Sequence, residues 1–168
     1  EKKGDDMSKQ SAGIRLYRRK ENRIEFLLVH PGGPLYAKKD AGVWSIPKGE
    51  FEEEEPLEAA KREFHEETGI PISGMGIPLK PQKQKSGKTI YAWAFEGELD
   101  PKLVKSNSFE MEWPPKSGKK QSFPEIDRAQ WFDLETVAVK IHPGQEPFIR
   151  ELLDNLNLPS EPIQPNLF

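Results

Sequence analysis

Arg62-Glu63-Phe64-His65-Glu66-Glu67-Thr68-Gly69 is the segment of this chain whose residue types and spacing could do chemistry. At about 100° per residue, a helix through it puts Leu57, Ala60 and Phe64 on one apolar stripe. Glu67 then falls roughly 20° from Ala60, and Glu63 about 40° beyond Glu67, so both carboxylates flank the buried edge. Glu66 lies further round on the same side. Side chains three and four residues apart sit on neighbouring turns, so these acids can converge on one point. Carboxylates that close repel one another unless a positive charge sits among them. A hard divalent cation answers that need, because oxygen-only ligands suit magnesium, manganese or calcium and not zinc. The competing reading is a solvated charged face with internal pairs such as Glu58 with Arg62.

The rest of the chain bounds what such a helix can belong to. Its 168 residues predict one compact domain with a sizeable core. A net charge of -3 argues against a protein built to coat nucleic acid, so no stable nucleic-acid binding is expected. The absence of cysteine excludes a disulfide framework, a thiolate zinc site and a cysteine nucleophile. No apolar run approaches the roughly 18 residues of a membrane span, and Glu1 to Gln10 has no apolar signal core. The expectation is a soluble, cytoplasmic protein with no membrane partner.

The elements that must position the acids can be read in order. Residues 1–10 are charged and expected to be disordered, with Met7 a candidate start. Ser11 to Tyr17 and Ile24 to Val29 read as strands of a hairpin, turning through the charged Arg18-Arg19-Lys20-Glu21-Asn22. Pro31-Gly32-Gly33-Pro34 stops the second strand. Trp44 to Gly49 is short and extended. The acidic helix begins at Pro56, which suits a first helical position, and runs to about Thr68, where Gly69 caps it and Pro71 prevents continuation. Thr89 to Leu99 is a strand with Ile90, Ala92 and Ala94 on one face and Tyr91, Trp93 and Phe95 on the other. Residues 100–124 show no periodicity and read as a long inserted loop, either disordered or functional. Ala129 to Phe132 is a strand, Leu134 to Ile141 a helix, and Glu146 to Leu156 a terminal helix striped by Phe148, Leu152, Leu153 and Leu156. The domain spans 11–158, and the proline-rich tail 159–168 is expected to wrap over the surface.

Gly49 to Ile70 resembles the Nudix box, G-x5-E-x7-R-E-U-x-E-E-x-G-U with U apolar. Arg62, Glu63, Phe64, Glu66, Glu67, Gly69 and Ile70 match its C-terminal half residue for residue, whereas Gly49 to Arg62 is one residue short. The box glutamate is Glu54 if aligned from the helix and Glu55 if aligned from Gly49. Glu54 is preferred, because a loop loses a residue more easily than a helix. The resemblance implies an α/β fold, a mixed β-sheet sandwiched between helices (α/β/α), over most of 11–156. It also implies Mg2+- or Mn2+-dependent hydrolysis of a phosphoanhydride bond in a nucleoside diphosphate linked to another group. Carried over, Glu63, Glu66 and Glu67 would be metal ligands, with Glu66 or Glu67 near the attacking water. Arg62 would orient the carboxylates by pairing with Glu54, and Gly49 would let the loop backbone approach metal or substrate. The family often draws a base or further ligand from outside the box, for which Glu125 and Asp127 are candidates and Glu110 and Glu112 weaker ones.

Substrate residues are less sharply marked. Trp44, Pro47, Lys48 and Gly49 look like the entry to the box in diadenosine polyphosphate and diphosphoinositol hydrolases, and Lys48 could neutralise a distal phosphate. Phe109 to Pro115 resembles an insertion of a bacterial Nudix subgroup. Lys88 sits in a lysine-bearing turn that could rim a polyphosphate site. It is not a P-loop lysine, because Gln82 stands where the first glycine is required. Tyr36, Trp44 and Trp113 could stack on a base, with Trp44 as readily core. His30, His65 and His142 lack ligand spacing and read as structural or surface residues. The expected substrate is a dinucleoside polyphosphate or a nucleoside triphosphate. A sanitising triphosphate pyrophosphatase is the rival enzyme, a non-catalytic Nudix-like nucleotide-binding or regulatory domain the rival of another class, and a homodimer is the oligomer considered.

Overall fold

The structure, a computed structural model, describes residues 9–158. The expectations for residues 1–8 and for the tail from Pro159 lie outside the described residues; Gln10, expected to be disordered, is already in a strand. Strand β1 (Gln10–Lys20) turns through Glu21 and Asn22 into β2 (Arg23–Pro31). The turn is shorter than the charged run suggested. Lys20 pairs with Arg23, Glu21 takes a φ of 58°, and the Arg18 guanidinium bonds Glu25 across the hairpin, so the charges extend the ladder instead of ending it.

A seven-stranded mixed sheet follows. β6 (Thr89–Glu96) lies parallel to β1 along one edge, while on the other β1 pairs with β2 at its C-terminal end and with β3 (Lys48–Phe51) at its N-terminal end. The short β4 (Ile77–Pro78) and β5 (Gln82–Lys83) border β6, and β9 (Ile126–Asp133) borders β2. Helix α1 (Pro56–Thr68) packs Ala59, Ala60 and Phe64 against Ala12, Ile14, Leu16 and Phe95. Helices α2 (Leu134–Lys140) and α3 (Glu146–Asn155) cover the other face, over Phe26, Leu28, Ile90, Ala92 and Ala94. The sheet is therefore sandwiched between helices, and β6 divides its side chains as the alternation predicts. Full burial of Phe64 contributes roughly 2–3 kcal/mol to holding α1 in place.

The fork where β2 and β3 share β1 positions the box loop. A Cβ on Gly13 would stand 2.6 Å from Lys48 Cβ and from the Pro47 carbonyl oxygen, so only glycine lets the 46–48 crossing lie on β1. Gly13→Ala is expected to push β3 away and lower stability by about 2 kcal/mol, read as a shift in urea midpoint. An unchanged midpoint would show that the crossing can give way.

The 100–124 segment is not structureless. It holds a 3-10 turn at Pro101–Leu103 and an outlying two-stranded ribbon, β7 (Ser108–Glu112) with β8 (Lys120–Pro124). Phe109 and Phe123 face each other across the ribbon, and Phe109 closes on Gly33, where a Cβ would come within 2.8 Å of its ring.

Candidate active site

Helix α1 begins at Pro56 with the extended Glu55 before it, and ends where Gly69, at φ 77°, donates its amide to the His65 carbonyl. Thr68 is buried and turns its hydroxyl to the Phe64 carbonyl at 2.7 Å. The end of the helix is also clamped from the insertion: Lys105 N donates to Thr68 O and Asn107 N to Glu66 O, while Glu125 N donates to Asn107 O. That clamp brings Glu125 beside the box.

Arg62 gathers the acids around itself. Its guanidinium bonds Glu54 at 2.5–3.0 Å, Glu63 at 2.7 Å and Glu66 at 2.9 Å. The partner is thus Glu54 and not Glu55, in keeping with the shortened loop. Glu63 lies over Gly49, where any Cβ would occupy the space of its carboxylate. Gly49 therefore serves first to seat Glu63. Glu67 turns to the strand beneath, its Oε1 accepting from Lys48 N at 3.2 Å.

Burial pushes the Glu67 carboxyl up to about 8, with the charges of Glu63 and Glu125 adding to the rise against the pull of Lys48. Burial also raises Glu63, reinforced by Glu66 and Glu125 and opposed by Arg62. Arg62 is raised further above the usual arginine range, chiefly by Glu54. Lys48 falls below the ordinary lysine range, first through burial and then through the nearby Lys88 ammonium. Lys88 itself pairs with Glu50 at 3.0 Å. Lys48 and Lys88 are thus brought together beside the acids.

The donor set is all oxygen and short of positive charge, which fits a hard divalent cation. It is not gathered into a cage: among the described residues no three histidine or acidic side chains stand close enough to hold a metal ion as they are. Arg62 holds Glu63 and Glu66 in the place a cation would contest.

Other residues singled out in the sequence have different positions. Trp44 is core, 1% exposed, its indole bonded to Asp40 and packed edge-on against His30 and Phe132, so it offers no face to a base. Asp127 is turned away from the box to the buried His30 ring, which bridges it to the Lys39 carbonyl. Glu112 accepts from Gly118 N at the ribbon tip. Tyr36 lies exposed in the loop after β2 under the Lys39 ammonium, and Trp113 is half-buried in the ribbon; no described contact joins either to the acids. His142 accepts from Gly144 N at a helical start and His65 is exposed, in keeping with structural and surface roles. Arg15 was missed. It sits in an apolar strand, is wholly buried, and is pulled down to about 9 by that burial. Its signal was a charge at an inward position of a strand.

An α/β/α sandwich with an acid-rich helix seated on a glycine-bearing strand is the arrangement that the Nudix-box resemblance implied. The NUDIX domain family matches residues 7–152, and the chain belongs to that family. It is 32% identical over 127 residues to an RNA pyrophosphohydrolase of Bartonella henselae, a match covering 65% of this chain and 64% of that protein. It is 32% identical over 119 residues to an RNA pyrophosphohydrolase of Rhizobium meliloti, covering 60% of this chain and 65% of that one. The chain thus spans a little under two thirds of the length of these curated relatives. The fold is shared with the NUDIX domain of Shewanella oneidensis NrtR, solved with ADP ribose, at a TM-score of 0.59 and 12% identity over 89% of this chain and 88% of that one. A mutT/nudix family protein from Listeria innocua gives 0.56 and 14%, over 89% and 96%. Nudix hydrolases generally use divalent metals such as Mg2+. Among the described residues no helix is long and apolar enough to cross a membrane.

Proposed function

We propose that this chain is a pyrophosphohydrolase that cleaves a phosphoanhydride bond in a nucleoside diphosphate linked to a further group, with a dinucleoside polyphosphate or a nucleoside triphosphate as substrate. The observation that carries this reading is the arrangement of Glu63, Glu66 and Glu67 around Arg62 and the β3 strand, with Glu125 facing the same space. So many like charges have no purpose in a domain that only binds nucleotide.

Magnesium or manganese, held by Glu63, Glu66 and Glu67, would neutralise the polyphosphate and make bound water a better nucleophile. Arg62 keeps Glu63 and Glu66 aimed in its absence and retains Glu54 when they are released. Of the two acids outside the box, Glu125, exposed and beside it, is the one proposed to take a proton from the attacking water, with Glu66 and Glu67 the alternatives within the box, since Asp127 is held by His30. The matched relatives are named RNA pyrophosphohydrolases, which adds the 5′-polyphosphate end of an RNA to the substrates to be tried.

The test is incubation with Mg2+ and a panel of diadenosine polyphosphates, ordinary and oxidised nucleoside triphosphates, nucleotide sugars, diphosphoinositols and a 5′-triphosphorylated oligoribonucleotide, with products separated by chromatography. The expected result is release of a nucleotide from a polyphosphate. Nucleotide binding with no product from any compound would instead identify a non-catalytic binding or regulatory domain.

A further inference from the structure

His30 takes no part in the proposed hydrolysis, yet it is wholly buried with both ring nitrogens bonded. Nε2 lies 2.7 Å from the Lys39 carbonyl oxygen, and Nδ1 lies 2.8 Å from Asp127 Oδ1. A carbonyl oxygen only accepts, so Nε2 carries a hydrogen and donates it. The contact at Nδ1 also needs a hydrogen between ring and carboxyl, since two facing lone pairs would repel. Trp44 fixes the ring from the side, edge-on with 5.1 Å between centroids. Arg128 Nε approaches the same Asp127 oxygen at 3.6 Å, too far for a hydrogen bond, so His30 is what holds this carboxyl.

Asp127 sits at an irregular point of the sheet. Along the β2–β9 ladder Val29 pairs with Ala129 and His30 with Arg128, but Pro31 pairs with Ile126. Asp127 is therefore the extra residue of a bulge, a device that re-aims side chains. In an unbroken strand Glu125 and Asp127 would point the same way. Around the bulge the backbone is gripped residue by residue. Glu125 N donates to Asn107 O at 2.9 Å, Glu125 O accepts from Gly32 N at 2.8 Å, and Ile126 N donates to Ser106 Oγ at 2.9 Å. A Cβ on Gly32 would stand 2.1 Å from the Pro124 carbonyl oxygen, so the end of β2 lies directly on this segment. Asn107 N donates in turn to Glu66 O in α1. A continuous chain of bonds thus runs from the buried His30 ring, through the bulge, to the box helix.

We propose that the His30–Asp127 pair is a positioning device that pins the β9 bulge and thereby aims Glu125 at the attacking water, with neither residue touching substrate. The aim at water rests on the proposed hydrolase and on Glu125 as its base; the pinning of the bulge rests on the hydrogen bonds alone.

The test compares Asp127→Ala with Asp127→Asn in the full chain. Asparagine can donate its amide to Nδ1 while Nε2 still donates to the Lys39 carbonyl, so the bond survives without the carboxylate. Alanine removes the bond. Amide hydrogen exchange in the metal-free protein reads the pinning. Exchange at Gly32 and Glu125 is expected to quicken about tenfold or more in Asp127→Ala and to keep its wild-type rate in Asp127→Asn. With Mg2+ and a polyphosphate that wild type hydrolyses, Asp127→Ala should lower kcat about 10- to 100-fold with KM little changed, and Asp127→Asn should recover most of that loss. In a Glu125→Gln background Asp127→Ala should cost nothing further, because the group it aims is gone. Should Asp127→Ala fail to fold, His30→Gln, whose amide reaches the Lys39 carbonyl but not Asp127, carries the same expectations.

Unchanged exchange in the folded variants overturns the pinning. Equal losses of kcat in Asp127→Asn and Asp127→Ala would make Asp127 itself a base or metal ligand and overturn the positioning role. Additive losses with Glu125→Gln, or undiminished kcat in Glu125→Gln alone, would do the same. If wild type turns over no polyphosphate, the hydrolase falls and the exchange rates alone decide the pinning; turnover with unchanged exchange keeps the hydrolase and removes the device.

Discussion

Glu67→Gln is expected to lower kcat/KM about a thousandfold and, in the metal-free protein, to remove a loss of stability that wild type suffers as pH rises. A glutamic acid in the unfolded chain loses its proton near 4.5, whereas burial raises the folded Glu67 to about 8. Between those values the folded state holds a proton that the unfolded state has released. Stability therefore falls with rising pH across that window. The contribution of the neutral carboxyl is complete below 4.5 and gone once the pH passes about 8. Glutamine keeps the neutral shape throughout, so urea midpoints measured in EDTA between about pH 5 and pH 9 should lose this component of their slope. Glu67 therefore sits where it costs the metal-free fold stability. An unaltered slope in the variant would mean that Glu67 is not the buried acid described here.

Gly49→Ala is expected to weaken Mn2+ binding about 10- to 100-fold, the scale on which a displaced supporting group perturbs a metal site. The cause is direct: the new methyl group would fill the space of the Glu63 carboxylate. Gly49 pairs with Ala12 in the β1–β3 ladder, so a general distortion of β3 is the competing explanation. A double-mutant cycle separates them. If the methyl acts only by evicting Glu63, adding Gly49→Ala to Glu63→Ala should cost no further affinity. Fully additive losses would place the damage in the strand.

These two residues also show what the sequence made legible. The spacing of Glu63, Glu66 and Glu67 survives into the structure because a helix converts spacing directly into direction. Gly69 and Pro56 bound that helix where their backbone preferences require. The alternation of Thr89 to Glu96 likewise became two faces, since both are covered. The β7–β8 ribbon escaped detection because it packs too little of itself to impose a period: Phe109, Met111 and Phe123 are half-buried, and Lys120, Gln121 and Ser122 read as loop. Trp44 could not be placed from its flanks, because its burial depends on Phe132, far along the chain.

Glu125 and Asp127 are two residues apart and looked equivalent. Pairing of β2 with β9 shifts register at His30 and Pro31, and beside that bulge Asp127 is captured by His30 while Glu125 remains by the box. Bulges arise from the pairing of distant strands and leave no mark in local spacing. Arg15 was hidden for the opposite reason. An apolar strand tolerates one charged residue in any reading of pattern, and only the register shows that its neighbour on that face is Ala94 of β6, within the covered core.

Under the proposed function, the α1 carboxylates perform metal-dependent hydrolysis of a phosphoanhydride. Its most direct test is a single time course: diadenosine tetraphosphate with wild type and with Glu67→Gln, each with Mg2+ and each with excess EDTA, products resolved by ion exchange. Mononucleotide products are expected from wild type with Mg2+ alone. Equal turnover in EDTA, or turnover undiminished in Glu67→Gln, would contradict it.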